Sequence, residues 1–249
     1  YPLSLESIKK FPREYKIKNL NELKILKRSA ARQTKNFDEH VSKSVPLYDE
    51  GHEIIMDMMP NFFNERTKII DIGCSTGALM KKIRNNFLDH ELDLVGIDIS
   101  KEMINEAKRN SSDKTIKFNQ QDFIKFKLNN ESVDIFISYY TIQFIRPQIR
   151  MNYLRKIFDT LHWGGAFFWF EKTRGSDARF QDILTNAYFK YKERQGYSSE
   201  NIYEKYMSLR GVLEPFSTNG NIDLLKEAGF SDFQPILKFG PFEGLLCIK

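Results

Sequence analysis

Three aspartates punctuate the first half of the chain, and each follows a short apolar run. Asp71 lies in Lys68-Ile69-Ile70-Asp71-Ile72, directly before Gly73-Cys74-Ser75-Thr76-Gly77. Asp98 closes Leu92-Asp93-Leu94-Val95-Gly96-Ile97-Asp98, twenty-one residues after Gly77. Asp122 follows the run Thr115 to Phe118, in Gln121-Asp122-Phe123. Glycines in the loop let backbone approach a ligand and take positive φ at little cost. An acid at the end of a second strand is placed to accept hydrogen bonds from two ribose hydroxyls. A third carboxylate beside a backbone amide can read the amino edge of an adenine, with Phe123 to pack on the ring. Each residue alone has an ordinary explanation, since turn aspartates are common and a strand-ending Asp often caps the next helix. In this order and at these spacings they point together to an adenosine ligand. The loop reads Gly-x-x-x-Gly, with Ser75 where a middle glycine would stand, which argues against pyrophosphate binding.

The elements that must position these acids alternate. The first run ends at the glycine loop and a helix of about Ala78 to Phe87 follows. Leu92 to Asp98 is a strand, Lys101 to Arg109 a helix, Thr115 to Phe118 a strand, and Val133 to Ser138 another. Gln148 to Leu161 reads as a helix closed by Gly164-Gly165, before a fifth strand from Ala166 to Phe170. Such alternation predicts a parallel sheet covered on both faces. Upstream, Leu20, Leu23, Leu26 and Ala30 recur at helical spacing, Asn36 or Asp38 could cap a short helix that Pro46 breaks, and His52 to Phe63 carries Ile54, Ile55, Met58 and Met59. After Glu171 the alternation stops. Residues 176–213 read as helical, Leu224 to Ala228 as a helix ended by Gly229, and Asp232 to Lys238 with Gly244 to Ile248 as a terminal hairpin around Gly240-Pro241. The division is a basic helical N-terminal arm or cap over residues 1–45 and a main domain over 46–249.

Composition excludes several classes. At 249 residues and 41% hydrophobic, the chain can bury a large core, and no apolar run reaches the length of a spanning helix. Two cysteines, Cys74 and Cys247, cannot make a disulfide framework or a cysteine zinc cluster, and His40, His52, His90 and His162 show no metal spacing. A reducing, cytoplasmic setting and no membrane partner fit best. The net charge is +5, and residues 1–45 hold eleven Lys/Arg against five Asp/Glu, while the remainder is balanced. A basic arm can meet a polyanion such as nucleic acid, although a lysine-rich solvated helix explains it as simply.

The ordered loop, Asp98 and Asp122 resemble the class I S-adenosylmethionine-dependent methyltransferases, over roughly residues 45–175 and the terminal hairpin. The resemblance implies an α/β fold: a Rossmann-like seven-stranded sheet with its last strand antiparallel, an N-terminal helical cap, and a helical insertion after strand five. It implies S-adenosyl-L-methionine as cofactor, with Asp71 and Gly73 near the methionine part, Cys74, Ser75 and Gly77 in the binding loop, Asp98 and Ile99 at the ribose, and Asp122 and Phe123 near the adenine. Leu161-His162-Trp163-Gly164-Gly165 is similar to the family's turn before strand five.

Shorter pieces are similar to the carboxy-S-adenosylmethionine synthase family, which has the same fold. They are Phe37-Asp38-Glu39, Ser44-Val45-Pro46-x-Tyr48, Gly73-Cys74-Ser75, Thr141-Ile142-Gln143-Phe144, Glu171-Lys172 and Gly196-Tyr197-Ser198. That resemblance implies a cofactor carrying a carboxymethyl in place of the methyl, prephenate as donor, tRNA wobble-uridine modification as destination, and a homodimer. Two residues depart from it. Tyr206 stands where the family holds the carboxylate with an arginine, and Arg210 lies four residues further on. Tyr139 stands where the family has an asparagine. A neutral phenol does not replace a charged bidentate fork, so ordinary S-adenosylmethionine is the first reading and the carboxylated cofactor the second.

Methyl transfer from a sulfonium is an in-line displacement that needs alignment and exclusion of water. Tyrosine faces suit a soft cation, which makes Tyr48, Tyr139 and Tyr140 candidates for the sulfonium end, Tyr140 on the substrate side. The acceptor is expected between cap and insertion, where Lys172, Arg174, Tyr197, Tyr206 and Arg210 make a basic and aromatic lining suited to a small anionic or aromatic substrate. A solvated face over a Tyr/Phe core is the plainer explanation. No general base stands out, and the catalytic residues are unassigned. Tyr188-x-x-x-Lys192 mimics the pair of short-chain dehydrogenases, but the glycine loop is wrong for that chemistry.

Overall fold

The computed structural model describes residues 37–111 and 113–249. The helices expected around Leu20 to Ala30, and so most of the basic arm, lie outside the described residues.

Among the described residues two helices precede the sheet, α1 (Phe37–Ser44) and α2 (Tyr48–Met58), the second prolonged by a 3-10 turn over Met59–Phe62. The alternating core then runs β1 (Arg66–Ile72), α3 (Ala78–Asn86), β2 (Glu91–Asp98), α4 (Lys101–Asn110), β3 (Lys117–Gln120), β4 (Val133–Tyr139), α5 (Pro147–Thr160) and β5 (Leu161–Lys172). Helices α6 (Ala178–Arg194) and α7 (Ser199–Ser208) form the insertion. Then come α8 (Thr218–Ala228), β6 (Asp232–Phe239) and β7 (Phe242–Ile248). The seven strands lie in the order β3-β2-β1-β4-β5-β7-β6. All pairings are parallel except those of β7, which runs antiparallel to β5 and β6.

Strand periodicity sorts the core into two layers. Ile69 of β1 packs with Ile135, Ile137 and Phe168 under α2, α3 and α4, through Ile55, Met80 and Ile104. Ile70 and Ile72 face the other way, to Phe136 and Phe167 under α5 and α8, through Leu154, Ile157 and Leu225. Burial of both faces is why β1 and β4 read as near-continuous apolar runs rather than alternating ones. Strand order reverses between β1 and β4, and the crevice at the carboxyl ends there is where an open α/β sheet receives ligand.

The fifth strand differs from expectation. No turn separates α5 from it, because β5 already begins at Leu161. Val133 pairs with Leu161 and Ile135 with Ala166, so His162 to Gly165 bulge out of the ladder. Gly164 takes φ 79° at the bulge. The C-terminus pins it: Gly164 N–H donates to Lys249 O at 2.8 Å and Lys249 N–H to Gly165 O at 3.0 Å. Among the described residues no helix is long and apolar enough to cross a membrane.

Candidate functional site

The loop after β1 wraps the end of β2. Gly73 and Cys74 N–H groups both donate to Ile97 O, at 2.7 and 3.1 Å. Gly73 has φ 79° and Gly77, capping α3, φ 75°. A side chain at Gly73 would collide with Thr141. Ser75 adopts φ 51°, so it takes the conformation a middle glycine would take. It is held there by Asp98, whose Oδ2 accepts Ser75 N–H at 3.0 Å while Oδ1 accepts Ser100 N–H at 2.8 Å. Burial raises the Asp98 carboxyl above its ordinary range, and these amides oppose the rise.

Asp71 lies beneath the loop, 3% exposed, with Oδ1 lacking any hydrogen-bond partner. Burial, then the Asp98 carboxylate, push it up to about 7. A sealed, orphaned carboxylate oxygen is costly unless a donor completes it. The ammonium and sulfonium of S-adenosylmethionine are cations, so the charge of this site fits that cofactor. Cys74 is buried and its thiol pushed well up by burial, which matches a packing role.

Helix α1 docks on the same loop, where Thr76 Oγ1 donates to Asp38 Oδ1 at 2.6 Å. The acids Asp38 and Asp71 both act on the Tyr48 phenol, which burial holds protonated. Tyr48, His52 and Tyr139 stack in a triad with centroids 4.5 to 5.0 Å apart. Tyr139 Oη donates to Tyr48 O at 2.5 Å, so this phenol is occupied by backbone. Gly51 is required here, since a Cβ would meet Tyr139 Oη. Burial lowers the His52 imidazole to about 4, so it stays neutral. Tyr140 turns at φ 57° and is 7% exposed, its Oη without a partner. Its position is a buried wall rather than an open lining.

The expected adenine end is divided. Asp122 Oδ1 accepts Ile124 N–H at 3.0 Å and the Tyr153 hydroxyl at 2.6 Å. Phe123 is 3% exposed and packs against Phe136 and Tyr153, with Lys156 Nζ 4.7 Å above its ring. Its ring therefore belongs to the core. Ile99, directly after Asp98, is 73% exposed and is the free apolar surface at that edge.

The insertion brings together residues the sequence reading kept apart. Tyr188 Oη donates to Ser44 O at 2.8 Å, and Tyr197 Oη lies 3.0 Å from His40 Nδ1 and 3.2 Å from Ser44 Oγ. Helix α1 is thus tied to the second half of α6 and to the turn that follows it. Lys172 Nζ sits 4.2 Å from the Tyr188 ring centroid, and Lys192 Nζ 5.2 Å from the same ring and 5.4 Å from that of Tyr197. Burial and the neighbouring Lys192 push Lys172 down to about 8; burial and Lys205 do the same to Lys192. Sequence reasoning names Lys192 and His40 but gives neither a place in the site. The i, i+4 spacing of Tyr188 and Lys192 was the available signal, and it marks a shared helix face rather than a dehydrogenase pair.

Other expected substrate residues lie elsewhere. Tyr206 is 45% exposed on α7, edge-on to Phe189 at 5.6 Å. Helix α7 ends at Ser208, so Arg210 is not one helical turn beyond Tyr206 on a common face; it is exposed, in the turn that follows. Arg174 borders a shallow cleft with Phe180, Ile183 and Ser217, to which no cofactor-loop residue contributes. Sequence reasoning also left unassigned the buried Glu171, 4% exposed with Oε1 unpartnered, which desolvation pushes up to about 8. Among the described residues no three His, Cys, Asp or Glu side chains converge as metal ligands.

Comparison with known proteins bears on this geometry. A methyltransferase-domain family matches residues 69–165, from β1 into the start of β5. Carboxy-S-adenosyl-L-methionine synthase of Nautilia profundicola is 34% identical, covering 86% of this chain and 90% of that protein. The same-named protein of Staphylococcus epidermidis is 35% identical over 87% of this chain and 94% of its own length. Among solved structures, human N-acetylserotonin methyltransferase in complex with S-adenosylmethionine superposes with a TM-score of 0.59 at 20% identity, covering 88% of this chain and 55% of that one. Haemonchus contortus phosphoethanolamine N-methyltransferase 2 with the same cofactor gives 0.58 at 15% identity, over 81% and 52%. At those identities the structural likeness concerns the fold.

Proposed function

The chain belongs to the carboxy-S-adenosyl-L-methionine synthase family and is an S-adenosylmethionine-dependent enzyme of the methyltransferase fold, and we propose that it transfers a methyl group to a small anionic or aromatic acceptor. One observation carries this reading. Tyr48, whose phenol feels the Asp71 carboxylate, leads through ring contacts to Tyr139 and Tyr140, and burial holds all three phenols neutral. Among the described residues no arginine stands at the position that would hold a carboxylated sulfonium: Tyr206 occupies the aligned position and Arg210 is exposed in the following turn.

When bound, the cofactor supplies an electrophilic methyl on a sulfonium. Asp71 and Asp98 hold it by charge and hydrogen bonding, and the Gly73–Gly77 loop, fixed by Asp98, sets the approach of the backbone. The part-buried Tyr48 and Tyr139 rings would offer π faces to a cation and exclude water, so that alignment and desolvation do the work. Helix α1 closes the cap side through Thr76–Asp38 and the Tyr197–His40 contact.

The second reading is the carboxy-S-adenosylmethionine synthase reaction with prephenate as donor, supported by likeness to relatives of that name along nearly their full length. Native mass spectrometry of the small molecule that co-purifies with the protein separates the two. S-Adenosylmethionine or its demethylated product is expected; the carboxylated cofactor would overturn methyl transfer in favour of the second reading. A homodimer is supported by the apolar side chains left exposed on the insertion, Phe180, Ile183 and Met207, and light scattering of the full chain checks it.

A further inference from the structure

Two lysines, Lys172 at the end of β5 and Lys192 on α6, hold their charge against aromatic rings without any acid. Lys192 is 6% exposed, yet among the described residues neither it nor Lys172 makes an ion pair or a side-chain hydrogen bond. Neither Nζ is among the sealed, unpartnered polar atoms, so neither is wholly closed off from solvent. Both lie against one ring, Lys172 at 4.2 Å and Lys192 at 5.2 Å from the Tyr188 centroid. Lys205 and Lys192 both act on His40, whose imidazole is kept neutral by desolvation and by these two ammonium groups. Two largely buried ammonium groups facing one ring, with a third behind, repel one another and lack the counter-charge that buried lysines normally keep.

The same residues terminate a chain of aromatic rings that begins at Tyr48, the first residue of α2. Rings follow one another from Tyr48 to Tyr139 at 5.0 Å, Tyr140 at 4.9 Å, Phe242 at 5.9 Å and Tyr188 at 5.2 Å. Tyr140 and Phe242 are buried, so an acceptor would meet this chain of rings at its part-buried ends, its reactive atom toward Tyr48 and its far end at the lysines.

We infer that Lys172 and Lys192, both against the Tyr188 ring, form an anion-binding subsite that takes a carboxylate or phosphate group of the acceptor. This rests on the methyl-transfer reading for what lies at the other end of the chain of rings, while the subsite itself is a matter of charge and geometry. The cation–π contacts explain how the two ammonium groups are kept in place when no anion is present. A bound anion would receive two charge-assisted hydrogen bonds.

The test uses the full chain saturated with S-adenosylhomocysteine, titrated calorimetrically with benzoate and with phenyl phosphate. Binding of at least one probe is expected, and the tighter arm identifies the anion as carboxylate or phosphate. Lys172→Met and Lys192→Met should each weaken the bound probe at least about tenfold, from loss of a hydrogen bond to a charged group. Lys190→Met, an exposed lysine on the same helix, should leave it unchanged. The two site variants should melt no lower than the parent, because each removes an unpaired, buried ammonium. Failure of both probes to bind the parent, or unchanged affinity in both site variants, overturns the subsite. Either result leaves methyl transfer standing, since that is read from the co-purified cofactor. Conversely, a carboxylated cofactor would displace methyl transfer without touching the lysine measurement.

Discussion

Asp98→Ala should abolish tight binding of S-adenosylhomocysteine while leaving the fold intact. Asp98 has two tasks in this site. One is to accept the two ribose hydroxyls expected of a strand-ending acid. A hydrogen bond to a charged acceptor contributes roughly 1.5–3 kcal/mol, so losing two costs about 3 kcal/mol at the low end. That corresponds to a roughly 150-fold rise in Kd. The other task is to hold the loop, since Oδ2 and Oδ1 accept the Ser75 and Ser100 amides at 3.0 and 2.8 Å. Ser75 sits at φ 51°, a conformation that costs a non-glycine residue about 1 kcal/mol or more. Without its acceptor the loop loses the force that keeps it there, and the total loss should exceed the ribose share. Asp98→Asn, which keeps one carbonyl oxygen, should fall between parent and alanine variant. Calorimetry gives the Kd, and circular dichroism with thermal melting checks that each variant is folded. A folded Asp98→Ala protein that binds within threefold of the parent would refute the site.

Further outcomes test the site's electrostatics and packing. Asp71 has its pKa raised by burial to about 7, so its contribution to stability is fully present below about 4 and is lost as pH rises through 7; Asp71→Asn should flatten that fall in Tm and melt higher than the parent at pH 8. Binding the cationic cofactor should draw the Asp71 proton off, so calorimetry near pH 6 in buffers of different ionisation enthalpy should register proton release. Tyr139→Phe removes the bond to Tyr48 O and should cost about 1 kcal/mol, or a few degrees in Tm. Gly73→Ala combines φ 79° with a collision into Thr141, and calorimetry should detect no cofactor binding. Probe binding at the lysine pair should weaken as pH rises through about 8, as Lys172 and Lys192 lose their protons. The other titratable groups around the pair, His40, Lys205, Tyr188, Tyr191 and Tyr197, with Glu50 beyond Tyr191, do not reverse that direction.

What the sequence determined by itself is periodic or local. Apolar runs of strand length separated by helical stretches require a sheet buried on both faces, and the reading of seven strands with the last antiparallel follows in the structure. The loop was legible because glycines that need positive φ leave a visible mark, and Gly73 and Gly77 both take it. Asp71 and Asp98 were legible because an acid at the end of a short apolar run has few reasons to be there. The tertiary structure decided what depends on partners far away in the chain. The bulge at His162 to Gly165 exists because Lys249 reaches it. Phe123 turns into the core and Ile99 out of it, although each follows an aspartate at a strand end, because only one has Phe136 and Tyr153 beside it. Lys172 and Lys192 meet at Tyr188 because α6 sets that ring against the end of β5 and Phe242 of β7 and is tied to Ser44, 144 residues upstream of Tyr188. Periodicity reports the face a residue occupies within its own element; which charges finally share that face is set by packing between elements.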